Sequence, residues 1–241
     1  MTTNDKILLD LNFNFWASKN IVYGSAPLSP SVRAMQTIQH KQNILMDFQP
    51  VSFLDIVNEI SSSIEIVKLD FDKATIKSFT YIFDLIHLWG GKTGRGPYVF
   101  KNNNGYTTRE KFETIYGKIY RETIKNALNQ DREFVDTNFT SIPRVGISFA
   151  TKHLRFWCNY PVHDLRINLL LFGTSKMQSY EHYISKMKNF AKKNDISVLE
   201  VEKALFAFSN NYFPNGKLRI KNRFLFNEDI DIAKTLSRKF D

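Results

Sequence analysis

The sequence predicts a mostly α-helical protein with at most one small β-hairpin. Over most of the chain, apolar residues recur at intervals of three and four, which is the spacing of one helix face. Prolines, glycines and helix-capping residues separate these periodic segments. The one strand pair that we predict joins residues 98–100 to residues 106–107 across an asparagine-glycine turn. The predicted architecture is therefore a helical bundle.

Three helices are predicted in the first ninety residues. Ser31 is placed to cap a helix that runs to Met46, and Pro50 follows its end. Apolar spacing from Ser52 onward predicts a second helix, which ends near residues 67–71, and residues 75–89 repeat the same pattern.

The rest of the chain continues the helical pattern. Thr108 is placed to cap a long helix that ends near Leu128. A short helix is predicted over residues 134–139. Further helices are predicted over residues 165–172, 175–193, 197–208 and 227–240. Ser197 and Glu200 have the spacing of a capping box, in which each side chain binds the backbone N–H of the other residue.

The composition is that of a folded, basic protein. The chain has 241 residues, 43% of them hydrophobic, and a net charge of +9, which favours a polyanionic partner such as nucleic acid or an anionic membrane surface. Its single cysteine excludes a disulfide framework, a four-cysteine zinc site and an all-cysteine iron–sulfur cluster within the chain. With neither a signal pattern nor an apolar run near the roughly 20 residues that span a bilayer, we expect a cytoplasmic protein outside the membrane.

Residues 90–96 form the one glycine-rich stretch. Gly91-Lys92-Thr93 is similar to the end of a nucleotide-binding P-loop, but that motif needs a glycine at position 86, which is Ile86 here, and a preceding strand. We therefore exclude a nucleoside triphosphatase. Two interpretations remain: a loop that ends a helix, or a basic loop whose Lys92 and Arg95 contact a phosphate.

A tight turn leads directly into a helix at residues 142–158. Pro143 and Gly146 mark the turn, and apolar residues at helical spacing follow it. A helix that opens on a glycine turn presents unpaired N–H groups at the positive end of its dipole, where a phosphate can bind. Lys152 lies on this helix, and Asp164 is placed to cap the next one.

This region resembles the helix-hairpin-helix DNA glycosylases. Their hairpin pattern, Leu-Pro-Gly-Val-Gly, corresponds to Ile142-Pro143-Arg144-Val145-Gly146, and their catalytic aspartate segment corresponds to Pro161-Val162-His163-Asp164. Within that superfamily the chain is most similar to the 8-oxoguanine DNA glycosylase branch, including divergent bacterial members associated with phage defence. The resemblance implies one glycosylase-like helical domain over residues 1–241, or two closely packed subdomains, with the helix-hairpin-helix unit at about residues 133–173.

The chain departs from the family pattern at two positions. Arg144 replaces the first hairpin glycine, and Ser148 stands where the lyase-type enzymes place a nucleophilic lysine. Serine at that position is the arrangement of the adenine-excising branch, which uses the aspartate and water. Lys152 follows one helical turn later on the same face, so its amine can reach the same point.

The resemblance implies a DNA N-glycosylase, with or without lyase activity, that acts on a flipped base in duplex or single-stranded DNA. We expect no cofactor, and no metal site, because His153 and His163 have no third ligand at useful spacing. Asp164 is the expected catalytic carboxylate and Lys152 the candidate nucleophile, with His153 and Arg155 as cations that lower its pKa. His87 and His182 are expected on helix surfaces. The expected DNA contacts are Arg144, Gly146, Ser148, Arg155, Lys92 and Arg95, and the expected base-pocket residues are Trp89, Phe149 and Trp157, each of which is otherwise a core residue.

Other functions are compatible with the same residues. A catalytically silent DNA-binding protein would use the hairpin amides and arginines only to hold phosphates. It would not need a carboxylate near DNA, so Asp164 favours the enzyme unless that residue is only a helix cap. A defence component that acts on modified phage bases, or on a nucleotide-derived ligand, would share the chemistry and differ in substrate.

Overall fold

Helices make up most of the computed structural model, which describes residues 13–19, 22, 24–98, 112–129, 138–142, 144–211, 220–221, 224–225 and 227–241. The helices among these residues are α1 (Phe13–Ser18), α2 (Pro30–His40), α3 (Phe53–Leu69), α4 (Ile76–Gly90), α5 (Lys118–Asn129), α6 (Ile147–Cys158), α7 (Leu165–Phe172), α8 (Tyr180–Lys193), α9 (Val198–Asn211) and α10 (Asn227–Ser237). The mostly α-helical prediction is confirmed.

Shorter elements connect the helices. A π-helical turn, Glu113–Gly117, leads into α5, and 3₁₀ turns cover Gly91–Gly94, Gly96–Tyr98, Asn138–Ser141 and Arg238–Phe240. Two short antiparallel strands, β1 (Ile220–Lys221) and β2 (Phe224–Leu225), pair Ile220 with Leu225. The hairpin predicted over residues 98–107 lies outside the described residues, except for Tyr98 at the end of a 3₁₀ turn.

Local capping signals place several helix ends where the sequence predicts them. The Ser52 hydroxyl accepts the N–H of Asp55, and the Asp55 carboxylate accepts the N–H of Ser52, which completes a capping box at α3. The predicted box of Ser197 and Glu200 forms in the same way at α9. Thr75 caps α4 through the N–H of Ser78.

Helix α2 is shorter than predicted. Its cap is Ser29 rather than Ser31, because Pro30 occupies the first helical position, where its missing N–H is not needed. The helix ends at His40 and not at Met46, since Asn43 and Leu45 adopt left-handed conformations with φ of 57° and 54°.

The chain divides into two compact units. The hairpin unit is Ile21–Tyr160 and contains α2 to α6. The aspartate unit combines Met1–Asn20 with Pro161–Asp241 and contains α1 and α7 to α10. The boundary between Tyr160 and Pro161 divides the segment predicted as one helix-hairpin-helix unit, so that Lys152 belongs to one compact unit and Asp164 to the other.

Helix α4 forms the centre of the hairpin unit. Every residue from Phe79 to Trp89 except half-buried Tyr81 is buried, and α2, α3, α5 and α6 each contact this helix. A helix that is apolar on all sides is stable only when neighbouring helices surround it. Its three buried polar residues, Thr80, Asp84 and His87, are therefore enclosed by protein.

Helix α9 organises the aspartate unit. It packs against α1, α7 and α8, while α10 packs against α7. Trp16 of α1 meets Phe208 of α9 edge to face, with 5.4 Å between the ring centroids. Among the residues that the structure describes, no helix combines the length and the apolar character that crossing a bilayer requires.

Candidate functional site

The predicted hairpin turn is anchored by apolar side chains. Ile142 and Val145 are buried, and the N–H of Val145 donates to the carbonyl of Ile142 at 3.1 Å. Between them, Arg144 has a left-handed φ of 65° and an exposed side chain, while Pro143 lies outside the described residues. Arg144 thus adopts a backbone conformation that favours glycine. Glycine is the residue at this position in the hairpin pattern that the segment resembles.

Helix α6 opens without a side-chain cap. Gly146 is the N-cap residue, and its carbonyl accepts the N–H groups of Phe149 and Ala150. A Cβ atom on Gly146 would meet no described atom within 4 Å, so the space beside this residue is open. The start of α6 therefore has no side-chain cap, and a helix N-terminus without one can bind phosphate through its first N–H groups.

The glycine-rich stretch packs against the hairpin and α6. A Cβ on Gly96 would lie 2.7 Å from the Cβ of Arg144, and one on Gly94 would lie 2.4 Å from the Phe149 ring. Only glycine permits these approaches. Lys92 and Arg95 lie in this stretch with exposed side chains, so the structure brings these predicted cations to the segment that contacts Arg144.

Lys152 lies half-buried along α6. Its Nζ is 4.0 Å from the centroid of the Phe149 ring and 3.5 Å from the Ser148 hydroxyl oxygen. Its Cδ would be 3.3 Å from a Cβ on Gly90. The predicted alignment of Lys152 with Ser148 on one helix face is confirmed, and the stem of the lysine is packed against Phe149 and Gly90.

Beneath Lys152, five rings are stacked through the core of the hairpin unit. Successive centroids are 4.8, 4.2, 4.9 and 5.2 Å apart, and the interplanar angles are 28° or less. This ring stack consists, in order, of Phe149, His87, Phe83, His153 and Phe139. Aromatic packing of this kind stabilises a core beyond the burial of apolar area alone.

Burial corrects two predictions about histidine. His87 and His153 are fully buried, which lowers the pKa of His87 to about 3 and that of His153 well below its ordinary value. Both rings are consequently uncharged at neutral pH. His153 therefore cannot be a cation that lowers the pKa of Lys152, and His87 does not lie on a helix surface. His182 is exposed, as predicted.

Hydrogen bonds hold both rings in place. His87 Nδ1 lies 2.8 Å from the Gly94 carbonyl, which can only accept, so Nδ1 carries the proton. His153 Nδ1 lies 3.0 Å from the Tyr120 hydroxyl, which also accepts the indole N–H of Trp157. The Nε2 atom of each ring is buried with no hydrogen-bond partner among the described residues.

Two residues with predicted DNA roles lie in the packed interior. Arg155 is 8% exposed, and Trp157 is 1% exposed with its indole stacked on Phe79. Trp89 is also buried and donates its indole N–H to the carbonyl of Val22. These positions favour structural roles, whereas Phe149 is the predicted base-pocket residue that contacts Lys152.

Asp164 caps helix α7. One carboxylate oxygen accepts the N–H of Arg166 at 2.8 Å and that of Ile167 at 3.3 Å, which confirms the predicted cap. The side chain is half-buried, and the second carboxylate oxygen takes no part in these bonds. The cap thus fixes the carboxylate without using both oxygens.

The segment before Asp164 is held by side chains that the sequence analysis missed. The hydroxyl of Tyr180 donates to the carbonyl of Pro161, and that of Tyr183 donates to the carbonyl of Val162. The buried carboxylate of Glu202 accepts the N–H of Val162 at 3.1 Å. Helical spacing marked these residues only as parts of α8 and α9, because the sequence carries no signal for contacts to a distant loop.

The electrostatics of this segment also follow from burial. Burial, reinforced by the negative charges of Glu202 and Asp164, raises the pKa of Tyr183 well above its ordinary value, so the hydroxyl remains a donor. Burial lowers the pKa of His163 to about 4. Within the described ranges, no group of three or more histidine, cysteine, aspartate or glutamate side chains is placed to hold a metal ion.

Comparisons with protein-family models, with curated proteins and with solved structures gave no match to this chain. Function is therefore inferred from the residues of the two units themselves.

Proposed function

We propose that the protein is a DNA N-glycosylase that excises a modified or damaged base. The observation that carries this proposal is the start of α6, where an uncapped, open helix N-terminus is followed on the same helix by half-buried Lys152. N–H groups at such an end bind phosphate without sequence preference, which suits an enzyme that scans DNA. The exposed side chains of Arg144, Lys92 and Arg95 add positive charge on adjoining segments.

Asp164 is the proposed catalytic carboxylate. When an N-glycosidic bond breaks, its electron pair leaves with the base and positive charge develops on the sugar. A fixed carboxylate stabilises that charge and orients the attacking water. The helix cap supports this role, because it holds one oxygen of Asp164 and leaves the other outside the cap.

Lys152 is the proposed nucleophile of the lyase reaction. Its neutral amine forms a bond to the anomeric carbon while the base leaves with the electron pair of the broken bond. Loss of a proton from nitrogen and opening of the sugar ring then give a Schiff base. Removal of a proton from C2′ forms a C2′–C3′ double bond and expels the 3′ phosphate. Packing of the lysine stem against Phe149 and Gly90 supports this role, because it restricts the positions of the amine.

The substrate class follows from the family resemblance. It favours an oxidised guanine or a modified phage base, flipped out of the helix before the reaction. The first alternative corresponds to DNA repair and the second to defence against phage.

Asp164→Asn tests the catalytic role directly, because asparagine caps helices as well as aspartate does. We expect unchanged thermal stability and unchanged affinity for undamaged DNA, with base release reduced by about 10²-fold or more. Release is measured on labelled duplex and single-stranded DNAs that carry 8-oxoguanine, uracil, alkylated or hydroxymethylated bases. Asp195→Asn is the matched control, since Asp195 is an exposed aspartate of the same unit. Equal release by the Asp164 variant would refute the assignment.

Borohydride trapping tests the amine. Lys152→Ala should abolish the trapped covalent adduct while base release by water persists. Lys118→Ala, which removes an exposed lysine from the same unit, should leave trapping unchanged. Trapping that survives in the Lys152 variant would assign the amine to another residue, with Lys92 the first to test.

A catalytically silent DNA-binding protein is the second candidate function. The observation that favours it is the engagement of Asp164 in the α7 cap, because a capping aspartate needs no catalytic role. In that case DNA binding is tight and sensitive to salt, and no base is released from any substrate by the unaltered protein.

A further inference from the structure

A lysine-lined groove lies on the aspartate unit, remote in sequence from the hairpin. It has a volume of about 530 Å³ and runs between α8 and residues Phe240 and Asp241. Its donors are Lys186, Lys192, Lys193, His182, Ser185 and Asn189. The groove thus concentrates hydrogen-bond donors and positive charge, and its one acidic side chain among these lining residues is Asp241.

Asp241 already occupies this lysine groove as an anionic ligand. Its carboxylate lies 2.6 Å from Nζ of Lys186, and its backbone carbonyl accepts a hydrogen bond from Nζ of Lys193 at 3.0 Å. The hydrogen bond from Lys186 lowers the pKa of the Asp241 carboxyl, so the group is charged at neutral pH. The position is fixed by Phe240, which is buried against Phe190 at a centroid distance of 4.6 Å.

The carboxylate is held at the rim of the groove and the amine lies deeper. The Asp241 side chain is 69% exposed, whereas that of Lys186 is 15% exposed and its Nζ also lies 5.0 Å from the Phe172 ring centroid. Because solvent reaches the carboxylate and screens the pair from that side, the ion pair contributes little to stability. A second anion can therefore displace the carboxylate without unfolding the unit.

We propose that the lysine groove binds phosphate groups of a nucleic-acid backbone, and that Asp241 competes with them as an internal ligand. The choice of DNA as the polyanion rests on the proposed function and on the net charge of +9. Removal of Asp241 from the groove unmasks Lys186 and Lys193, each of which then releases a counterion on contacting a phosphate.

Four proteins test the proposal by their dissociation constants for an undamaged, fluorescent DNA duplex over a series of KCl concentrations. They are the unaltered chain, Asp241→Asn, the pair Lys186→Gln with Lys193→Gln, and the three substitutions combined. We expect Asp241→Asn to tighten binding about two- to tenfold at low salt, and the lysine pair to weaken it and to reduce the salt slope by about 1 to 2. In the lysine-pair background, Asp241→Asn should have no effect.

Two controls separate the groove from net charge. Glu65→Gln removes one negative charge from an exposed site on α3, and Lys77→Gln with Lys176→Gln removes two exposed lysines elsewhere. If the groove variants change the affinity no more than these controls, or if Asp241→Asn tightens binding without the two lysines, the proposal is wrong. It is also wrong if titration with inorganic phosphate or an acidic peptide depends on the groove while DNA affinity does not.

The outcome is independent of catalysis. Groove-dependent DNA binding with no base release from any substrate would support the lysine groove and refute the glycosylase. Base release that depends on Asp164, with a DNA affinity that the groove variants do not change, would support the glycosylase and refute the lysine groove.

Discussion

The Tyr120 hydroxyl lies 3.0 Å from Nδ1 of His153 in the core of the hairpin unit, and the same oxygen accepts the Trp157 indole N–H at 2.9 Å. One hydroxyl therefore links a fully buried histidine to a buried indole. The consequence is a neutral, hydrogen-bonded histidine within the ring stack, whose protonation in the folded state would place a charge in the core.

The buried histidines should make stability depend on pH. The pKa of His87 is about 3 in the folded protein against 6.5 ordinarily, and that of His153 is also lowered, so the unfolded chain binds protons first as pH falls. The contribution of these two histidines to the free energy of unfolding is complete above pH 6.5 and is lost as pH falls toward 3. We expect the free energy of unfolding to drop by about 1.4 kcal/mol per pH unit for each histidine below pH 6.

Urea denaturation between pH 7 and pH 5 measures this slope before most carboxylates titrate. His153→Gln should make the slope shallower by one proton, whereas His182→Gln, which changes an exposed histidine, should leave it nearly unaltered. A slope of zero in the unaltered protein over this range would contradict the buried, neutral state of the two rings.

Tyr120→Phe should destabilise the hairpin unit by about 1 to 3 kcal/mol. The change leaves the Trp157 indole N–H without its acceptor and His153 Nδ1 without its hydrogen-bond partner, both in a buried site. Denaturation monitored by tryptophan fluorescence gives the free energy of unfolding. Tyr81→Phe is the control, because its hydroxyl pairs with Glu59 at a half-buried position, and we expect a smaller loss there.

Gly94→Ala and Gly146→Ala should separate stability from DNA binding. A methyl group at position 94 would lie 2.4 Å from the Phe149 ring, so we expect a loss of about 1 to 3 kcal/mol in stability. A methyl group at position 146 meets open space among the described atoms, and φ there is −77°, which alanine adopts readily. We therefore expect nearly unchanged stability for Gly146→Ala but weaker DNA binding, because the methyl group obstructs an approaching phosphate.

Differential scanning calorimetry and a DNA titration of both glycine variants test this pair. Unchanged DNA affinity in Gly146→Ala would show that the start of α6 does not contact the backbone. A fully stable Gly94→Ala protein would show that Phe149 can move away from the glycine-rich stretch.

Glu202→Ala should loosen the segment that precedes Asp164. The substitution leaves the buried N–H of Val162 without its carboxylate acceptor and is expected to cost about 1 to 3 kcal/mol. Glu202→Gln retains an acceptor oxygen and should cost less. Chemical denaturation measures both, with Glu181→Ala as the exposed control in the same unit. Equal losses for alanine and glutamine would contradict a specific role of the hydrogen bond to Val162.

The sequence alone determined the fold class and many helix boundaries. Ser197 caps α9 and Asp164 caps α7 as predicted, and α3 and α4 begin directly after Ser52 and Thr75, where the helical spacing starts. These features were predictable because a cap depends on residues only two or three positions apart, and a helix face repeats every few residues. The uncapped glycine at the start of α6 follows from the same local rules.

Tertiary structure decided which side chains are buried and which segments meet. Histidine, arginine and tryptophan on α4 and α6 have the same helical spacing whether a neighbouring helix covers them or not, so only packing placed His87, His153, Arg155 and Trp157 in the interior. Likewise, only the folded chain brings Gly94 against Phe149 and Glu202 against Val162, and only it divides the helix-hairpin-helix segment between two units. Contacts between distant segments depend on how helices pack, which local periodicity does not encode.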